Sequence, residues 1–455
     1  MDDEESKAAS PAPKHEKKST RTRSKAFESG HELSATLFED ERPERNWPNC
    51  VANAGVQYNF TCVPIALMFL EKAGKWRVEE AWEHEYSTTL SSIAYLGSMA
   101  GMCTMGWLGD AIGRTKAMRV TCLITAIFAI ISGLAWEKIS LLVFRFIVGF
   151  GIGGVYPLSA ARASEGAPEG ATQEDRDSHT GFAFIFQSIG DLMPYLLAMA
   201  LTASNDWQVQ FRVMMVFGAV SPLVVLYGMH LDGPPKKHFS DPNHKPTFVE
   251  MVKAGYRDDP ETNRKMVATA LCWFIFDVLN YGALAFTPTM VGIIFGESGV
   301  FGTAWQSLIA VTAGIFGSVL ALYHLRLWGP KKLQVWGFVA DGVAALLILV
   351  TYHPIRKGPD SLKWVLLAEY VILIGCLNWG PHVTTFVLPQ RLFFQEHLTT
   401  FNGIAAAAGK FGALVGVWVF HEVYKALGVA PLFIFVMALS LLGAVVSKIY
   451  IKDDE

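Results

Sequence analysis

The sequence predicts an all-α membrane protein, with twelve transmembrane helices in two pseudo-symmetric six-helix bundles. Three observations carry this expectation. Of the 455 residues, 51% are hydrophobic and only 17% charged, and the mean hydropathy of +0.30 is that of a polytopic membrane protein. Apolar runs near the roughly 20 residues that a hydrocarbon core requires recur along the chain, separated by short polar breaks. The longest polar stretch between them, 232–263, leaves six runs on each side, and a Gly–basic turn follows the second run of each half.

The first run, about 50–70, is diluted by Asn53, Gln57, Tyr58, Asn59 and Thr61. The second and third, 88–108 and 117–136, flank the turn "GWLGDAIGRTKAM". The fourth, 140–161, contains "FRFIVGFGIGGVYPLSA", in which Gly149, Gly151, Gly153 and Gly154 thin the helix for a close neighbour. Pro157 removes one backbone bond there, so a kink is expected. The fifth, 181–203, places Gln187 and Asp191 one turn apart, and the sixth is 210–231. After the polar linker, "DGPPKKHFSDPNHKP" onward, the seventh run covers 265–292. The eighth and ninth, 304–325 and 333–352, flank the second turn, "LRLWGPKKLQVWGF". Runs at 363–386, 398–420 and 427–450 complete the count, and the two bundles are expected over 47–231 and 264–451.

With the N-terminus in the cytoplasm, 27 of the 38 Lys and Arg fall on the cytoplasmic side and 8 on the other. This asymmetry places both termini in the cytoplasm. Residues 1–46 are polar and mixed in charge and read as a disordered cytoplasmic tail; Asp2, Asp3, Glu4 and Glu5 speak against a transit peptide. The six cysteines form no CxxC pair and read as packing residues, with no metal role. No phosphate-cradling loop, metal cluster or soluble nucleotide domain is present, so neither an enzyme, a cofactor nor an ATP-driven pump is expected. A net charge of −3 gives no reason to expect nucleic acid as a partner.

Ionisable groups inside membrane spans cost about 2.5–3.5 kcal/mol each on insertion scales, so each is a functional candidate. They are Arg145, Asp191, Asp277, Asp341, Glu369 and Lys410, with His382 beside them. In "CWFIFDVLNYG", Trp273, Asp277 and Tyr281 follow at i, i+4 and i+8 and share one helix face. In "AGKFGALVG", Lys410 sits among Gly409, Gly412 and Gly416, where small residues let helices approach. The competing readings are packing for Trp273 and Tyr281, a structural ion pair for Lys410 with Asp277, and for Asp191 a pair with Arg145 or a cap before Pro194.

"GWLGDAIGRTKAM", with Asp110, Gly113, Arg114 and Lys116, resembles the loop signature of the major facilitator superfamily. "GGVYPLSA" followed by Ser164 and Glu165, "WFIFDVLNYG", "WGPHVTTFVLPQRLF" and "NGIAAAAGKFGALVG" resemble helices four, seven, ten and eleven of its phosphate:proton symporters. The resemblance runs from about Gly106 to Gly416. It implies the major facilitator fold and transport of inorganic phosphate or a similar small anion across a lipid bilayer, with protons as a second cargo and the plasma membrane as the location. By residue it implies a substrate site of Tyr156, Gln187, Trp273, Asp277, Tyr281 and Lys410, with His382 in its wall. It also implies a gating loop of Asp110, Gly113 and Arg114. The chain departs from the pattern where the family has acids: Val155 replaces an aspartate, the first helix has no acid before Glu71, and Gln390 replaces a glutamate. His382 stands where the family has asparagine. The candidates for proton coupling are then Asp277, Asp191 and Arg145. Either Val155 leaves Asp277 as the main titratable group of a decoupled facilitator, or coupling has moved to Asp191 or His382. Sulfate or an organic anion as cargo, and a transport-dead sensor or scaffold, are the other readings.

Overall fold

The computed structural model describes residues 45–72, 80–231, 246–296 and 299–452. The expected tail lies outside these residues up to position 44, as does the first part of the linker, 232–245. Six helices precede the linker: α1 Trp47–Lys72, α2 Glu80–Ile112, α3 Arg114–Gly133, α4 Lys138–Glu165, α5 Gln173–Leu201 and α6 Trp207–Leu231. A surface helix, α7 Phe248–Asp258, is followed by α8 Thr262–Phe295, α9 Val300–Lys357, α10 Lys363–Asn378, α11 Pro381–Leu392, α12 Leu398–Leu427 and α13 Val429–Tyr450. Among the described residues, nine helical stretches are long and apolar enough to span a bilayer. One of them, α9, is two spans joined at Gly329, and α1 and α2 complete the twelve.

Four features differ from the sequence expectation. The linker is helical over α7, whose Met251 and Gly255 are buried while Phe248, Val249 and Tyr256 are exposed. α6 breaks between Phe217 and Val220. The tenth span is interrupted at Trp379 and Gly380, where φ is 118° at Gly380, and restarts at Pro381. Pro at the first position of the new helix costs nothing, because its missing N–H would have had no partner there. Finally, α8 carries a π-helical turn at Val267–Leu271.

The two six-helix sets repeat the same pairings. α2 packs on α4 as the first span of α9 packs on α10; α1 packs on α5 as α8 packs on α12. Between the sets, α2 lies against α12 and α5 against α9. The repeated turns also match in backbone: Gly113 has φ 101° and Gly329 φ 73°, a left-handed conformation that residues with a Cβ rarely adopt. The glycines of α4 act as expected. A Cβ on Gly149 or Gly153 would stand 2.2 Å from the carbonyl oxygens of Ala94 and Ser98 on α2. Gly151 and Gly154 instead face Thr125 and Thr121 of α3.

Candidate functional site

The end of the bundle that carries Asn46, the Gly113 and Gly329 turns and Tyr450 is called the near end, and the opposite one the far end. α8 climbs from the near end and presents Trp273, Asp277 and Tyr281 in one stripe, all buried. α12 runs beside it at backbone distance. A Cβ on Gly412 would lie 2.2 Å from the Phe274 carbonyl oxygen, and one on Gly416 2.3 Å from that of Val278. This seam of glycines brings Lys410 onto the α8 stripe.

Lys410 Nζ donates to Asp277 Oδ2 at 2.8 Å and to Tyr281 Oη at 2.8 Å, with Lys410 and Asp277 each 1% exposed. Burial of either charge alone would be severely unfavourable, and the pairing with further hydrogen bonds is what makes it tolerable. The ammonium also lies 4.0 Å from the Tyr281 ring centroid, 4.7 Å from Tyr156 and 5.5 Å from Phe60, a three-sided aromatic cage. Tyr156 Oη is 3.2 Å from Tyr281 Oη, and Trp273 lies against the Asp277 carboxylate.

Of the predicted substrate residues, Tyr156, Trp273, Asp277, Tyr281 and Lys410 are therefore brought together. Gln187 instead bonds α1, its Nε2 donating to Asn53 Oδ1 at 3.3 Å, and Asn53 in turn donates to Ser159 at 3.1 Å. His382 stands aside, with Nδ1 3.2 Å from Ser318 Oγ and its ring 4.8 Å from that of Phe184. Asp191 accepts from Thr61 Oγ1 at 2.8 Å. The alternative pair of Asp191 with Arg145 does not form: Arg145 Nη2 donates to the Asn59 carbonyl. The two charges use residues two positions apart on α1, and such residues point to nearly opposite sides of a helix. Asp341 is fully buried with neither carboxylate oxygen hydrogen-bonded among the described residues, and Glu369 accepts from Thr351 at 2.6 Å; both lie outside this cluster.

The contribution of α1 was not foreseen. Gln57 Oε1 accepts from Tyr281 Oη at 2.9 Å, so the amides that dilute the first span are its share of the site. Their signal was present in the sequence: Asn53, Gln57 and Thr61 recur at i, i+4 and i+8.

A cavity of about 470 Å³ lies on the far-end side of the cluster, with Phe60, Thr61, Tyr95, Tyr195, Tyr281 and His421 among its walls. Tyr281 forms its floor above Lys410. The near end is closed. Asp110 accepts from the backbone N–H groups of Thr399 and Thr400 at 3.2 and 2.7 Å and from Thr400 Oγ1 at 2.7 Å, which seats a carboxylate on the first turn of α12. Arg114 meets Asp110 at 3.4 Å and Glu165 at 3.2 Å, and donates to the Gln395 carbonyl at 2.7 Å. Arg391 pairs with Asp177 at 3.3 Å, and Arg326 with Asp175 at 3.0 Å.

The sequence model of the Major Facilitator Superfamily matches residues 54–417. The Inorganic phosphate transporter PT2 of Toxoplasma gondii is 33% identical over 410 residues, which cover 88% of this chain and 71% of that one. Inorganic phosphate transporter 1-1 of Arabidopsis thaliana is 26% identical over 430 residues, 80% of this chain and 81% of that one. Among solved structures, the proton:xylose symporter XylE bound to 6-bromo-6-deoxy-D-glucose superposes with a TM-score of 0.73 at 14% identity, covering 88% of this chain and 94% of that one. At that identity the likeness is one of fold.

Proposed function

Because the chain belongs to the Major Facilitator Superfamily, we propose that it carries inorganic phosphate across a membrane by alternating access, holding the anion at Lys410. The observation that carries this reading is the buried cation itself. Lys410 is drawn into the centre of the bundle, where its charge is offset by one carboxylate and caged by phenols. An arriving oxyanion finds a positive charge there, with O–H and N–H donors from Tyr156, Tyr281 and Trp273. The Asp277 carboxylate, when ionised, can only accept, so it suits a phosphate oxygen that still carries a proton and disfavours sulfate, which has none to give.

The closed near end and the far-end cavity support one half of an alternating cycle, in which the anion enters from the far end. The moving bodies in this reading are 47–231 and 264–451, with 232–263 as the linker. The protein is an integral multi-pass membrane protein; the plasma membrane, with the near end cytoplasmic, is the placement this reading favours. Two similar proteins bear the name inorganic phosphate transporter.

The test is uptake of radiolabelled phosphate into proteoliposomes. Lys410→Ala removes a charged hydrogen-bond donor worth about 1.5–3 kcal/mol, a loss of roughly 10- to 150-fold in phosphate affinity. Excess unlabelled sulfate should compete poorly. Unchanged affinity in Lys410→Ala would place the site elsewhere, and effective competition by sulfate would broaden the substrate to oxyanions in general.

A further inference from the structure

We propose that a sodium ion binds between Asp341 and the break in the tenth span, held by one carboxylate and by main-chain carbonyls. Two observations point to it. First, Asp341 is fully buried in the second span of α9, and neither of its carboxylate oxygens is hydrogen-bonded among the described residues. An ionised carboxylate only accepts, so what it lacks is a donor or a cation. Second, the break takes donors away from carbonyls. Pro381 has no N–H to give to the Leu377 carbonyl four residues before it. The Val383 N–H goes to the Gly380 carbonyl at 3.1 Å instead of that of Trp379. The Trp379 N–H goes to the Cys376 carbonyl at 2.8 Å instead of that of Gly375.

Helix geometry brings the carboxylate and the break together. Gly337, one turn before Asp341 on the same face of α9, lies directly against the break. A Cβ there would stand 2.4 Å from Pro381 Cδ, 2.7 Å from the Trp379 carbonyl oxygen and 2.8 Å from Gly380 Cα. The neighbouring face of α9, with Phe338 and Gly342, packs instead on Gly443 and Ser440 of α13. Asp341 therefore stands on the α10 side. A helical side chain leans toward the N-terminus of its own helix, which carries this one over Gly337 and toward the break.

A proton on Asp341 would satisfy one oxygen and leave the carbonyls unserved, whereas a cation serves carboxylate and carbonyls together. One carboxylate among neutral oxygens balances a single positive charge, which favours a monovalent ion over calcium. The close packing at Gly337 leaves little room, which favours sodium over the larger potassium. The C-terminal end of a half-helix, with unwound carbonyls, is also a place where transporter folds coordinate sodium. No transition metal is implied: among the described residues, no group of three or more His, Cys, Asp or Glu could hold one. Bound there, sodium braces the root of α11, the helix whose Arg391 meets Asp177 at the near end.

The experiment is thermal unfolding of the purified protein in detergent, in sodium, potassium or choline chloride at equal ionic strength, together with binding of radiolabelled sodium. An ion that binds only the folded form stabilises it, so sodium should raise the midpoint by a few degrees over choline. The label should be retained and be displaced by unlabelled sodium. Asp341→Asn keeps the shape and removes the charge, and it should erase both effects. Equal midpoints in sodium and choline, or a sodium shift that survives in Asp341→Asn, overturn the inference. An equal shift in potassium overturns the assignment to sodium. Should Asp341→Asn not fold, the wild type decides, and the lack of a displaceable label overturns the site. Neither readout involves phosphate, so a protein that takes up no phosphate would overturn the function proposed above and leave the sodium site to its own test.

Discussion

Tyr156 and Tyr281 meet over Lys410, and the two phenols have unequal tasks. Tyr281 is bonded to Lys410, Gln57 and Tyr156 at once, whereas Tyr156 shares one hydrogen bond with Tyr281 and turns its ring to the ammonium. Tyr156→Phe keeps the ring and loses one hydrogen bond, so phosphate affinity should weaken by about 0.5–1.5 kcal/mol, roughly two- to tenfold. Direct binding of labelled phosphate would read this, and no change would mean that the hydroxyl contributes only to packing. At this scale the sequence was legible where a charge or a stripe of aromatics breaks an apolar helix, as at Asp277 and Lys410. The α1 amides were not legible in the same way. Hydropathy counts Gln57 as dilution of a span, and only the partner on α8 shows that it is a link. Val155 is 4% exposed and belongs to the apolar core beside Tyr156.

At the scale of elements, the apolar runs located all twelve spans, because a helix crossing a bilayer needs about 20 predominantly apolar residues. Interruptions that keep the hydropathy high were invisible: Trp379 and Gly380 break the tenth span without adding a single charge. The polar composition of the linker likewise hid α7, whose side chains alternate between bundle and surface. What joins α8 to α12 is a backbone contact that no side chain could make. Gly412→Ala sets a Cβ 2.2 Å from the Phe274 carbonyl oxygen and should destabilise by about 1–3 kcal/mol. Gly292→Ala, on the same α8 but with no atom within 4 Å of the new Cβ, should instead be neutral or stabilising by up to about 1 kcal/mol. Thermal unfolding of the two variants in detergent gives the signs, and two shifts in the same direction would contradict the seam.

For the whole molecule, closure of the near end is held in part by charged contacts between the two sets of helices. Asp110 holds the first turn of α12 across the interface between the two sets of helices, and Arg391 with Asp177 repeats the connection between α11 and α5. Asp110→Asn keeps the shape but gives up the charge that the helix N-terminus and Arg114 favour. A loss of roughly 1–2 kcal/mol would alter the balance between the two end states about five- to thirtyfold. With a reporter cysteine at Thr289 on the cavity wall, labelling by an impermeant thiol reagent from the far end should fall in Asp110→Asn. Unaltered labelling would mean that Asp110 does not govern which end is open.

The π-helical turn of α8 lies between two fixed points. Below it, Arg264 donates to the Tyr450 carbonyl at 2.6 Å and Lys265 pairs with Asp259 at 2.7 Å; above it stands the stripe of Trp273, Asp277 and Tyr281. A π turn holds one more residue than the α-helix it interrupts, and each residue of an α-helix turns the chain by about 100°. Deleting one residue from Val267–Leu271 would therefore let the stretch relax to an ordinary α turn with both ends still in phase, whereas deleting one residue from a regular turn of α8 would rotate one end by about 100° away from its partners. A single deletion should accordingly be tolerated better in this stretch than elsewhere in α8, and an insertion should not; a family of such length variants, scored for surface expression and uptake separately, would tell whether the foot of the helix or its working face gives way first.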